Sequence, residues 1–380
     1  MKISFYCGDS LETWSPRSVK QGIGGSEEAV INMAMELAKL GNEVTVWNNC
    51  GDDADTYGQV VYKDYLDFVD EPVDVLVSWR TEGNLKYAKN FKVAYHWLHD
   101  TVEENRVLAA FRLGARKIMV LSEFHRRLYP KIRNEEIFLT QNGVNFSLFE
   151  GKKVARVPGR VFYGSSYDRG LKELLEEWPK IKLAVPEATL RIAYGWQTWE
   201  AIAKAQDGLD NFKRVKESME QLMEQDGITH LGRVSHDQIA NEMMEADVWA
   251  YPTWWPEISC ITAMKAQLGG AIPVVIPTAA VAETVGHYGH KTDRGYYMDI
   301  EGNPAVRAAE TLDQWVKMMV DVLTMDPKTK EIERGGMIEW AKKRFNWQTV
   351  AKEWQKEFKS EAKKVVIEDT LEKKGYAHAM

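Results

Sequence analysis

The sequence has few cysteines, no long apolar run and no excess of positive charge, and each absence excludes a class of protein. Its three cysteines, Cys7, Cys50 and Cys260, lie far apart, so their spacing fits neither a disulfide framework nor a metal or redox pair. No uncharged apolar segment reaches the roughly 18 residues that a membrane-spanning helix requires. The N-terminal segment also lacks the apolar core and cleavage site of a signal peptide. We therefore expect a reduced, cytoplasmic protein with no integral membrane segment.

The charge balance and composition indicate a globular protein whose main partner is not nucleic acid. The chain has 49 lysines and arginines against 56 aspartates and glutamates, a net charge of -7, so a broad basic surface is not expected. A chain of 380 residues is longer than the roughly 250–300 at which single cores divide, so two domains are expected. The 14 tryptophans and 15 tyrosines offer flat faces of the kind that bind sugar rings.

Short apolar runs alternate with helical segments in the first third of the chain. The predicted strands are residues 3–7, 44–47, 73–79, 93–97, 118–121 and 137–140. The helix after the first strand is expected to have Ser26 as its N-cap and to stop at Gly41. Apolar strands that alternate with helices are typical of a parallel, doubly wound α/β sheet.

A second strand–helix series follows a polar segment at 150–158, which we interpret as a linker because it is punctuated by Pro and Gly. The predicted strands of this series are residues 160–163, 190–194, 228–231, 248–251 and 272–276. Helices are predicted from residue 170, at 236–246, at about 259–268, and from about residue 306 to the end.

The two series predict two domains. The N-terminal domain is expected at residues 1–152, completed by a C-terminal helix at about 347–380, and the C-terminal domain at residues 153–346. Two such sheets leave a cleft between their strand ends, and open α/β sheets bind ligands at the carboxyl ends of their strands.

A glycine-rich turn precedes the first long helix. Gly24 and Gly25 stand before Ser26 and Glu27, where the backbone can approach a phosphate and the helix N-terminus offers free N–H groups. Alone, such a turn is more often plain architecture. It has neither the G-x-G-x-x-G spacing of dinucleotide folds nor the Gly-Lys-Ser/Thr ending of a P-loop.

Six segments become specific when they are read in order along the chain. They are Gly-Ile-Gly-Gly-Ser-Glu at 22–27, Leu-Gly-Asn-Glu-Val-Thr-Val at 40–46, Tyr-Gly-Ser-Ser-Tyr-Asp-Arg-Gly-Leu at 163–171, Leu-Gly-Arg-Val-Ser at 231–235, Ala-Asp-Val-Trp-Ala-Tyr-Pro-Thr at 246–253 and Pro-Glu-Ile-Ser-Cys-Ile-Thr-Ala-Met-Lys at 256–265. In this order they resemble the retaining glycosyltransferases of glycosyltransferase family 4, the glycosyl transferases group 1. The resemblance covers nearly the whole chain, and the last segment is its most specific part.

The resemblance implies a GT-B fold, an α/β architecture of two Rossmann-like doubly wound domains that face across a cleft, with C-terminal helices that return to the N-terminal domain. It implies retaining transfer of a sugar from a nucleotide diphosphate sugar, bound by the C-terminal domain, to an unidentified sugar, lipid or protein acceptor on the N-terminal side. It also implies that no metal or other cofactor is needed. Basic side chains and helix N-termini can stabilise a diphosphate leaving group without a metal ion.

The resemblance also implies a site for the donor diphosphate. Arg169 matches the basic residue that the family keeps for this group, and an arginine fork suits phosphate oxygens. The family's second basic residue is absent here. Ser165 and Ser166 occupy that region, so we expect hydroxyl and backbone donors to replace it. Arg233 either lies near the base or diphosphate or is solvated, and the sequence does not distinguish the two.

Glu257 matches the first of two glutamates that the family keeps seven residues apart, where it binds hydroxyls of the donor sugar. Ile258, Ser259 and Cys260 are then expected to begin a helix whose N–H groups meet the sugar and the diphosphate. Lys265 stands where the second glutamate is expected.

Lys265 departs from the family pattern in a way that changes hydrogen bonding. The family's glutamate accepts hydrogen bonds from the donor ribose, whereas an ammonium has three donors and no acceptor. Lys265 therefore donates to a ribose or phosphate oxygen, or the ribose is held elsewhere, or the protein binds donor poorly. We favour an altered ribose contact in a working enzyme.

His96 and His99 lie near the end of a predicted strand, where the family keeps a histidine close to the transferred sugar. We expect the two side chains to point to opposite faces. We favour His99, because it lies later in the chain, at the mouth of the cleft, and is followed by Asp100 as in the family's His-Asp pair. The predicted catalytic residues are therefore His99, Arg169 and Glu257.

Several other segments are interpreted without a function. The Asp-Ala-Asp sequence at 53–55 is expected to be a solvated loop and not a metal site, and 142–145 a simple turn. Trp254 and Trp255 fit a sugar pocket and core packing equally well. Residues 361–374 are expected to form a solvated helix or a loose tail.

Two alternative functions stay open. A nucleotide-sugar epimerase or hydrolase on the same scaffold requires further acids in the cleft, which the sequence does not locate. A catalytically silent nucleotide-sugar-binding protein would fit the changed motif at Lys265, since fold alone does not determine function. The sequence shows no basic amphipathic helix that would favour an acceptor at a membrane surface.

Overall fold

The computed structural model describes residues 1–293, 295 and 309–373 of a chain that divides into two compact units. The first unit contains Met1–Arg17, Ser26–Asn142 and the chain from Trp347, and the second contains Ser18–Gly25 and Gly143–Asn346. The chain thus changes units after Asn142, before the predicted boundary at residue 152. The predicted helix start near residue 306 lies outside the described residues.

The elements of the described residues alternate between strand and helix in both units. In chain order the strands are β1 (Lys2–Gly8), β2 (Glu43–Asn48), β3 (Asp55–Tyr57), β4 (Val60–Asp64), β5 (Val73–Trp79), β6 (Phe91–Trp97), β7 (Lys117–Val120), β8 (Ile137–Leu139), β9 (Val157–Tyr163), β10 (Thr189–Ala193), β11 (Ile228–Gly232), β12 (Ala246–Tyr251), β13 (Ile272–Val275) and β14 (His290–Lys291). The helices are α1 (Gly25–Lys39), α2 (Glu104–Arg112), α3 (Glu123–Arg127), α4 (Leu171–Ala184), α5 (Gln197–Ala205), α6 (Leu209–Met223), α7 (His236–Glu245), α8 (Ile261–Gly269), α9 (Val281–Val285), α10 (Ala309–Thr324), α11 (Pro327–Arg344) and α12 (Trp347–Lys373).

The sheet of the first unit has the strand order β3-β4-β2-β1-β5-β6-β7-β8. Its pairs are parallel, apart from the antiparallel pair of β3 and β4. Ile3 in β1 pairs with Val44 in β2 and with Val75 in β5. The central strands are mostly buried, as expected for parallel strands covered on both faces.

An aromatic cluster joins the last helix to the first sheet. The ring of Trp354 in α12 lies 4.7 Å from that of Trp97 and 6.4 Å from that of Phe5, measured between centroids. Its indole N–H donates to the Thr140 hydroxyl at 2.7 Å. The C-terminal helix therefore completes the core of the first unit, as the family resemblance implies.

The hairpin of β3 and β4 is absent from the predicted elements. It follows the Asp-Ala-Asp segment, and Asp53 there accepts hydrogen bonds from the Ser15 hydroxyl at 2.8 Å and from Arg17 at 2.9 Å. The expectation that this segment is merely solvated is wrong for Asp53, because its carboxylate fixes the loop after β1.

The sheet of the second unit has the order β11-β10-β9-β12-β13-β14 and is parallel. Val248 in β12 pairs with Val161 in β9 on one side and with Ile272 in β13 on the other. From β9 the chain runs outward to β10 and β11, and it then returns to start β12 on the other side of β9. The order of the strands reverses between β9 and β12.

Two predicted helix starts differ from the structure. Helix α1 begins at Gly25, so Ser26 lies in its first turn and is not the N-cap. The Ser26 hydroxyl donates to the Glu27 carboxylate at 3.0 Å. Helix α8 begins at Ile261 with Cys260 as its N-cap, later than predicted.

The segment 142–145 is more than a simple turn, contrary to the prediction. The Val144 N–H donates to the Phe345 carbonyl at 2.9 Å, and Val144 forms a parallel bridge with Asn346. The Asn145 side chain accepts from the Ser147 N–H at 3.1 Å. These contacts place Gly143 and the residues after it in the second unit.

Helix α12 is not a solvated tail at Glu361. That carboxylate is 1% exposed, and it pairs with Arg116 at 3.1 Å, Lys117 at 3.3 Å and Lys364 at 2.5 Å. A carboxylate this buried is stable only when paired, so the expectation of a solvated segment is wrong here.

Candidate functional site

The reversal of strand order between β9 and β12 defines the main candidate site. Open α/β sheets bind ligands outside the carboxyl ends of the strands at such a point. The loop after β9 spans 164–170 and the loop after β12 spans 252–260. These two loops carry Arg169 and Glu257, which the sequence predicts separately as functional residues.

Arg169 and Glu257 form an ion pair, and Tyr251 joins it from the end of β12. Arg169 Nη1 donates to Glu257 Oε1 at 2.9 Å, and the Tyr251 hydroxyl donates to the same oxygen at 2.6 Å. The guanidinium carbon lies 4.8 Å from the ring centroid of Trp255, a cation–π distance. Neither hydrogen bond uses Glu257 Oε2.

The charges of this cluster are fixed by its members. Burial is the largest single influence and favours a neutral Arg169, but the charges of Glu257, Tyr251, Asp168 and Tyr194 together outweigh it and hold the pKa of Arg169 well above its usual range. Burial first, and then the charge of Glu257, raise the pKa of Tyr251 and of the Cys260 thiol. Arg169 is therefore a cation, and Cys260 is a neutral thiol without thiolate character.

Trp254 and Trp255, for which the sequence left two roles open, differ in their surroundings. Trp254 packs against the hydrophobic core of the second unit. Trp255 lies beside the Arg169 guanidinium. Trp255 therefore belongs to the candidate site, and Trp254 to the core beneath it.

The start of α8 adds backbone donors to the site. Because the helix begins at Ile261, its unpaired first-turn N–H groups belong to Ile261 and the residues after it. Ile258, Ser259 and Cys260 form the loop before the helix, so the expectation that they begin it is wrong. Ile258 and Cys260 are buried, and Ser259 is half-buried.

The two serines after β9 differ in their contacts. Ser165 is buried, and its hydroxyl lies 3.3 Å from that of Tyr251. Ser166 is half-buried, and its carbonyl accepts from the Tyr163 hydroxyl at 2.7 Å. Both lie on the Arg169 loop, and their predicted contact with a diphosphate stays a prediction.

Gly170 lets the two loops of the site approach each other. It has a φ of 103°, and a Cβ at this position would lie 2.5 Å from the Pro252 carbonyl oxygen. Any other residue would be strained in its backbone and would collide with the loop after β12. The close approach brings Arg169 within reach of Glu257.

The glycine turn at 22–24 is bound to side chains of the second unit. The Gly22 carbonyl accepts from Arg233 Nε at 3.2 Å and from Nη2 at 2.9 Å, and the Ile23 carbonyl lies 3.2 Å from His236 Nε2. A pocket beside these contacts is lined by Gly22, Ile23, Gly24, Tyr194, Thr198, Arg233, Val234, His236 and Ile239. Arg233 thus lines a pocket and holds the turn, and its role toward a ligand stays a prediction.

Gly25 ends this turn next to helix α8. A Cβ added to Gly25 would lie 3.4 Å from Ile261 Cδ1, tighter than most such contacts. Gly24 lines the pocket described above. An alanine at 25 would thus touch Ile261 at the edge of ordinary van der Waals contact. The predicted phosphate contact of the two glycines stays a prediction.

Lys265 is buried in α8 next to His236, at 5% exposure. Its Nζ lies 3.5 Å from His236 Nδ1. A carbonyl can only accept, so the contact with Ile23 assigns the proton of a neutral imidazole to Nε2 and leaves Nδ1 to accept from Lys265. Gln267, two residues further along α8, donates to the carbonyls of Ala263 and Thr284, each at 3.1 Å.

His99 lies in the first unit, and the carboxylate of Asp100, its neighbour in sequence, binds elsewhere. Asp100 instead forms a bidentate pair with Arg80, at 2.7 Å and 2.9 Å. The imidazole of His99 packs between Trp97 and Trp79, at centroid distances of 4.3 Å and 6.0 Å. Its Nε2 is buried without a hydrogen-bond partner among the described residues.

Burial keeps both candidate histidines neutral. It lowers the pKa of His96 to about 4, and together with the charges of Arg80 and His125 it holds the pKa of His99 well below the usual range. His96 is fully buried, with Nδ1 3.4 Å from the Ser78 hydroxyl. His99 is half-buried, and its choice over His96 stays a prediction.

Sequence reasoning missed three residues of these sites. Tyr251 and Arg80 had a signal, because each stands at the carboxyl end of a predicted strand, where sheets place functional groups. His236 had none beyond its position at the start of a predicted helix. Its importance comes from contacts with Ile23 and Lys265, which are distant in sequence.

The described residues contain neither a metal-binding cluster nor a membrane-spanning helix. Across 1–293, 295 and 309–373, no three His, Cys, Asp or Glu side chains are grouped so that they could hold a metal ion. No helix within the same residues is both long and apolar enough to cross a membrane.

Part of the chain matches a known protein family. Residues 148–320, which contain Arg169, Glu257 and Lys265, match the model of the family Glycosyl transferases group 1. No curated protein sequence matches the chain significantly.

Solved structures of similar fold cover nearly the whole chain. Sucrose-phosphate synthase from Thermosynechococcus elongatus has 14% identity and a TM-score of 0.70, over 94% of this chain and 98% of that one. Anabaena Alr3699/HepE in complex with UDP and glucose has 15% identity and a TM-score of 0.64, over 95% and 100%. The catalytic domain of starch synthase IV from Arabidopsis thaliana, bound to ADP and acarbose, has 8% identity and a TM-score of 0.66, over 95% and 99%. The chain therefore has the GT-B fold.

Proposed function

We propose that this protein is a retaining glycosyltransferase of family 4 that moves a sugar from a nucleoside diphosphate sugar to an acceptor without a metal ion. One observation carries the proposal. Arg169 and Glu257 meet at the strand-order reversal of the second sheet, inside the region that matches the group 1 family.

The leaving group explains the need for Arg169. When the bond from sugar to diphosphate breaks, negative charge develops on the phosphate oxygens, and fixed donors stabilise it. Arg169 supplies a planar cation that Glu257 and Trp255 hold in place. The first-turn N–H groups of α8 supply further donors at the positive end of the helix dipole.

Glu257 has an oxygen available for the donor sugar. Arg169 and Tyr251 both donate to Oε1, and a carboxylate oxygen left by them can accept from sugar hydroxyls. We assign His99 to the acceptor side, as a neutral imidazole near the transferred sugar. The acceptor itself, a sugar, lipid or protein, is left to experiment.

The test begins with donor binding and transfer by the wild-type protein, using uridine, adenosine and guanosine diphosphate sugars. UDP and ADP are included because they are bound in two of the similar structures. Binding of one donor and transfer of its sugar with retained anomeric configuration, in the presence of a chelator, is the expected result. Absence of binding to every donor would contradict the proposal.

Arg169→Gln is expected to weaken donor binding and to slow transfer roughly ten- to a hundredfold. It removes a charge-assisted contact with phosphate, worth about 1.5–3 kcal/mol. Calorimetry with donor and a transfer assay measure the two effects. Arg214→Gln is the matched control, because Arg214 is exposed on α6. Equal behaviour of the two variants would place Arg169 outside the site.

Lys265 favours one second candidate, a nucleotide-sugar-binding protein without transfer activity. A buried ammonium stands where the family resemblance implies a ribose acceptor. Donor binding without transfer to any acceptor and without hydrolysis would support this candidate over the enzyme.

A further inference from the structure

Arg80 has a backbone conformation that side chains rarely adopt. It follows β5 directly and has a φ of 58°, in the left-handed region that favours glycine. Such strain persists only where surrounding contacts enforce it, and it is concentrated at functional sites. The contacts of Arg80 show what the strained conformation achieves.

The backbone and the side chain of Arg80 hold the two ends of one turn. The Arg80 N–H donates to the Trp97 carbonyl at 3.0 Å, at the end of β6. Its guanidinium binds Asp100 in bidentate geometry, through Nε at 2.7 Å and Nη2 at 2.9 Å. His99 lies between these two anchors, so Arg80 fixes the turn that carries it.

A third contact connects this turn to the first helix. Arg80 Nη1 lies 3.5 Å from Glu27 Oε1 in the first turn of α1. The guanidinium carbon also lies 5.3 Å from the centroid of Trp79, whose ring packs against His99. Arg80 and Asp100 are partly exposed, with side-chain exposures of 37% and 46%, so solvent screens their attraction. The pair therefore contributes more to geometry than to stability.

We propose that Arg80 is a positioning residue for His99, because its strained backbone and its bidentate grip on Asp100 fix the imidazole in the orientation that transfer requires. The part of this inference that concerns transfer rests on the proposed function. The part that concerns His99 itself does not, because it predicts a change in the imidazole that can be measured without a substrate.

The charge of Arg80 has a separate effect on His99. After burial, the guanidinium is the largest influence that lowers the pKa of His99, and His125 on α3 is the next. Asp100 is the neighbouring carboxylate, and Arg80 neutralises it. Removal of the guanidinium should therefore raise the pKa of His99, both by loss of a positive charge and by release of Asp100.

The test is an NMR titration of the His99 imidazole in the full-length protein, assigned by its loss in His99→Gln. Arg80→Gln is expected to move the midpoint upward by a measurable fraction of a pH unit or more. Arg106→Gln is the matched control, because Arg106 forms a similar bidentate pair with Glu82, at 3.0 Å for both bonds. An unchanged His99 midpoint in Arg80→Gln, or the same change in Arg106→Gln, would overturn the proposal.

Two further variants of Arg80 separate the effect of its charge and of its backbone strain from its effect on the position of His99. Arg80→Lys keeps the charge but cannot form the bidentate pair, so His99 should titrate as in wild type while kcat falls about tenfold or more at unchanged donor KM. Arg80→Gly relieves the backbone and should unfold thermally no earlier than Arg80→Gln, while it shares the shifted titration. Wild-type kcat in Arg80→Lys would contradict positioning. If the wild type transfers no sugar at all, the proposed function fails, and the titration still decides whether the Arg80 guanidinium acts on His99.

Discussion

The ammonium of Lys265 is buried beside the imidazole of His236, at the position where the proposed function expects contact with the donor ribose. The imidazole donates to the Ile23 carbonyl and accepts from Lys265, so the chain of hydrogen bonds runs from α8 to the glycine turn. A carboxylate at position 265 would reverse this polarity, because it only accepts.

Lys265→Glu is expected to strengthen the preference for ribose over deoxyribose, which should be weak in the wild-type protein. A carboxylate can accept from the ribose hydroxyls, and one such charge-assisted bond is worth about 1.5–3 kcal/mol, or roughly tenfold or more in affinity. Calorimetry with UDP and 2′-deoxy-UDP, and with the matching adenosine pair, measures the preference. Lys317→Glu, on the exposed face of α10, is the control.

The ratio of the affinities for UDP and for 2′-deoxy-UDP shows whether Lys265 lies beside the bound ribose. A strong preference for the ribonucleotide in the wild type, unchanged by Lys265→Glu, would mean that the ribose is held away from Lys265. We expect instead a weak preference in the wild type and in Lys317→Glu.

At the scale of elements, the loops after β9 and β12 depend on a single glycine. Gly170→Ala is expected to destabilise the protein more than Gly41→Ala, although both glycines have a positive φ, of 103° and 82°. Each alanine is strained by about 1–2 kcal/mol, but only at 170 does the new Cβ meet a carbonyl, at 2.5 Å from Pro252 O, while nothing lies within 4 Å at 41.

Urea unfolding of the two glycine variants and the wild type measures this difference. Gly170→Ala should also weaken donor binding, because Arg169 precedes it, whereas Gly41→Ala should bind donor normally. Equal losses of stability would show that the loop after β12 moves aside at little cost.

The sequence predicts those elements whose residues are stable in only one environment, such as the buried core. The apolar run at 73–79 can only be buried, and the structure has β5 at Val73–Trp79. The polar Asp-Thr-Tyr of β3 carries no such signal, because it is a strand only through its pairing with β4.

The sequence predicts individual residues of the site, but it does not predict which of them contact each other. Arg169 and Glu257 follow from their motifs, yet their ion pair spans a separation of 88 residues and exists because β9 lies beside β12. Arg80 and Asp100 likewise meet because they follow β5 and β6, which are neighbouring strands. Local patterns contain no information about which strands become neighbours.

At the scale of the whole molecule, buried histidines make stability depend on pH. The pKa values of His96 and His125 fall from 6.5 to about 4 in the folded protein, chiefly through burial. Below about pH 6.5 the unfolded chain binds protons that the folded chain does not, so the free energy of unfolding falls as the pH drops toward 4.

Between pH 8 and pH 5 this loss is about 2 kcal/mol for each of the two histidines. Urea midpoints at pH 8, 7, 6 and 5 measure it. His99 is also neutral in the folded protein and adds a loss of the same sign, so His125→Gln should remove about one third of the dependence. A stability that is constant from pH 8 to pH 5 would contradict the assignment of His96 and His125 as neutral in the folded protein.

The division of the chain into units sets an order for folding during synthesis. The first unit needs α12, because Trp354 packs against Phe5 and Trp97, and α12 leaves the ribosome after every segment of the second unit. The second unit has its segments, up to Asn346, before that moment. Domains fold as units while the chain emerges, so the first unit completes its core after the second unit. Until then its apolar strands lack part of their packing, so they are accessible to chaperones and prone to aggregate.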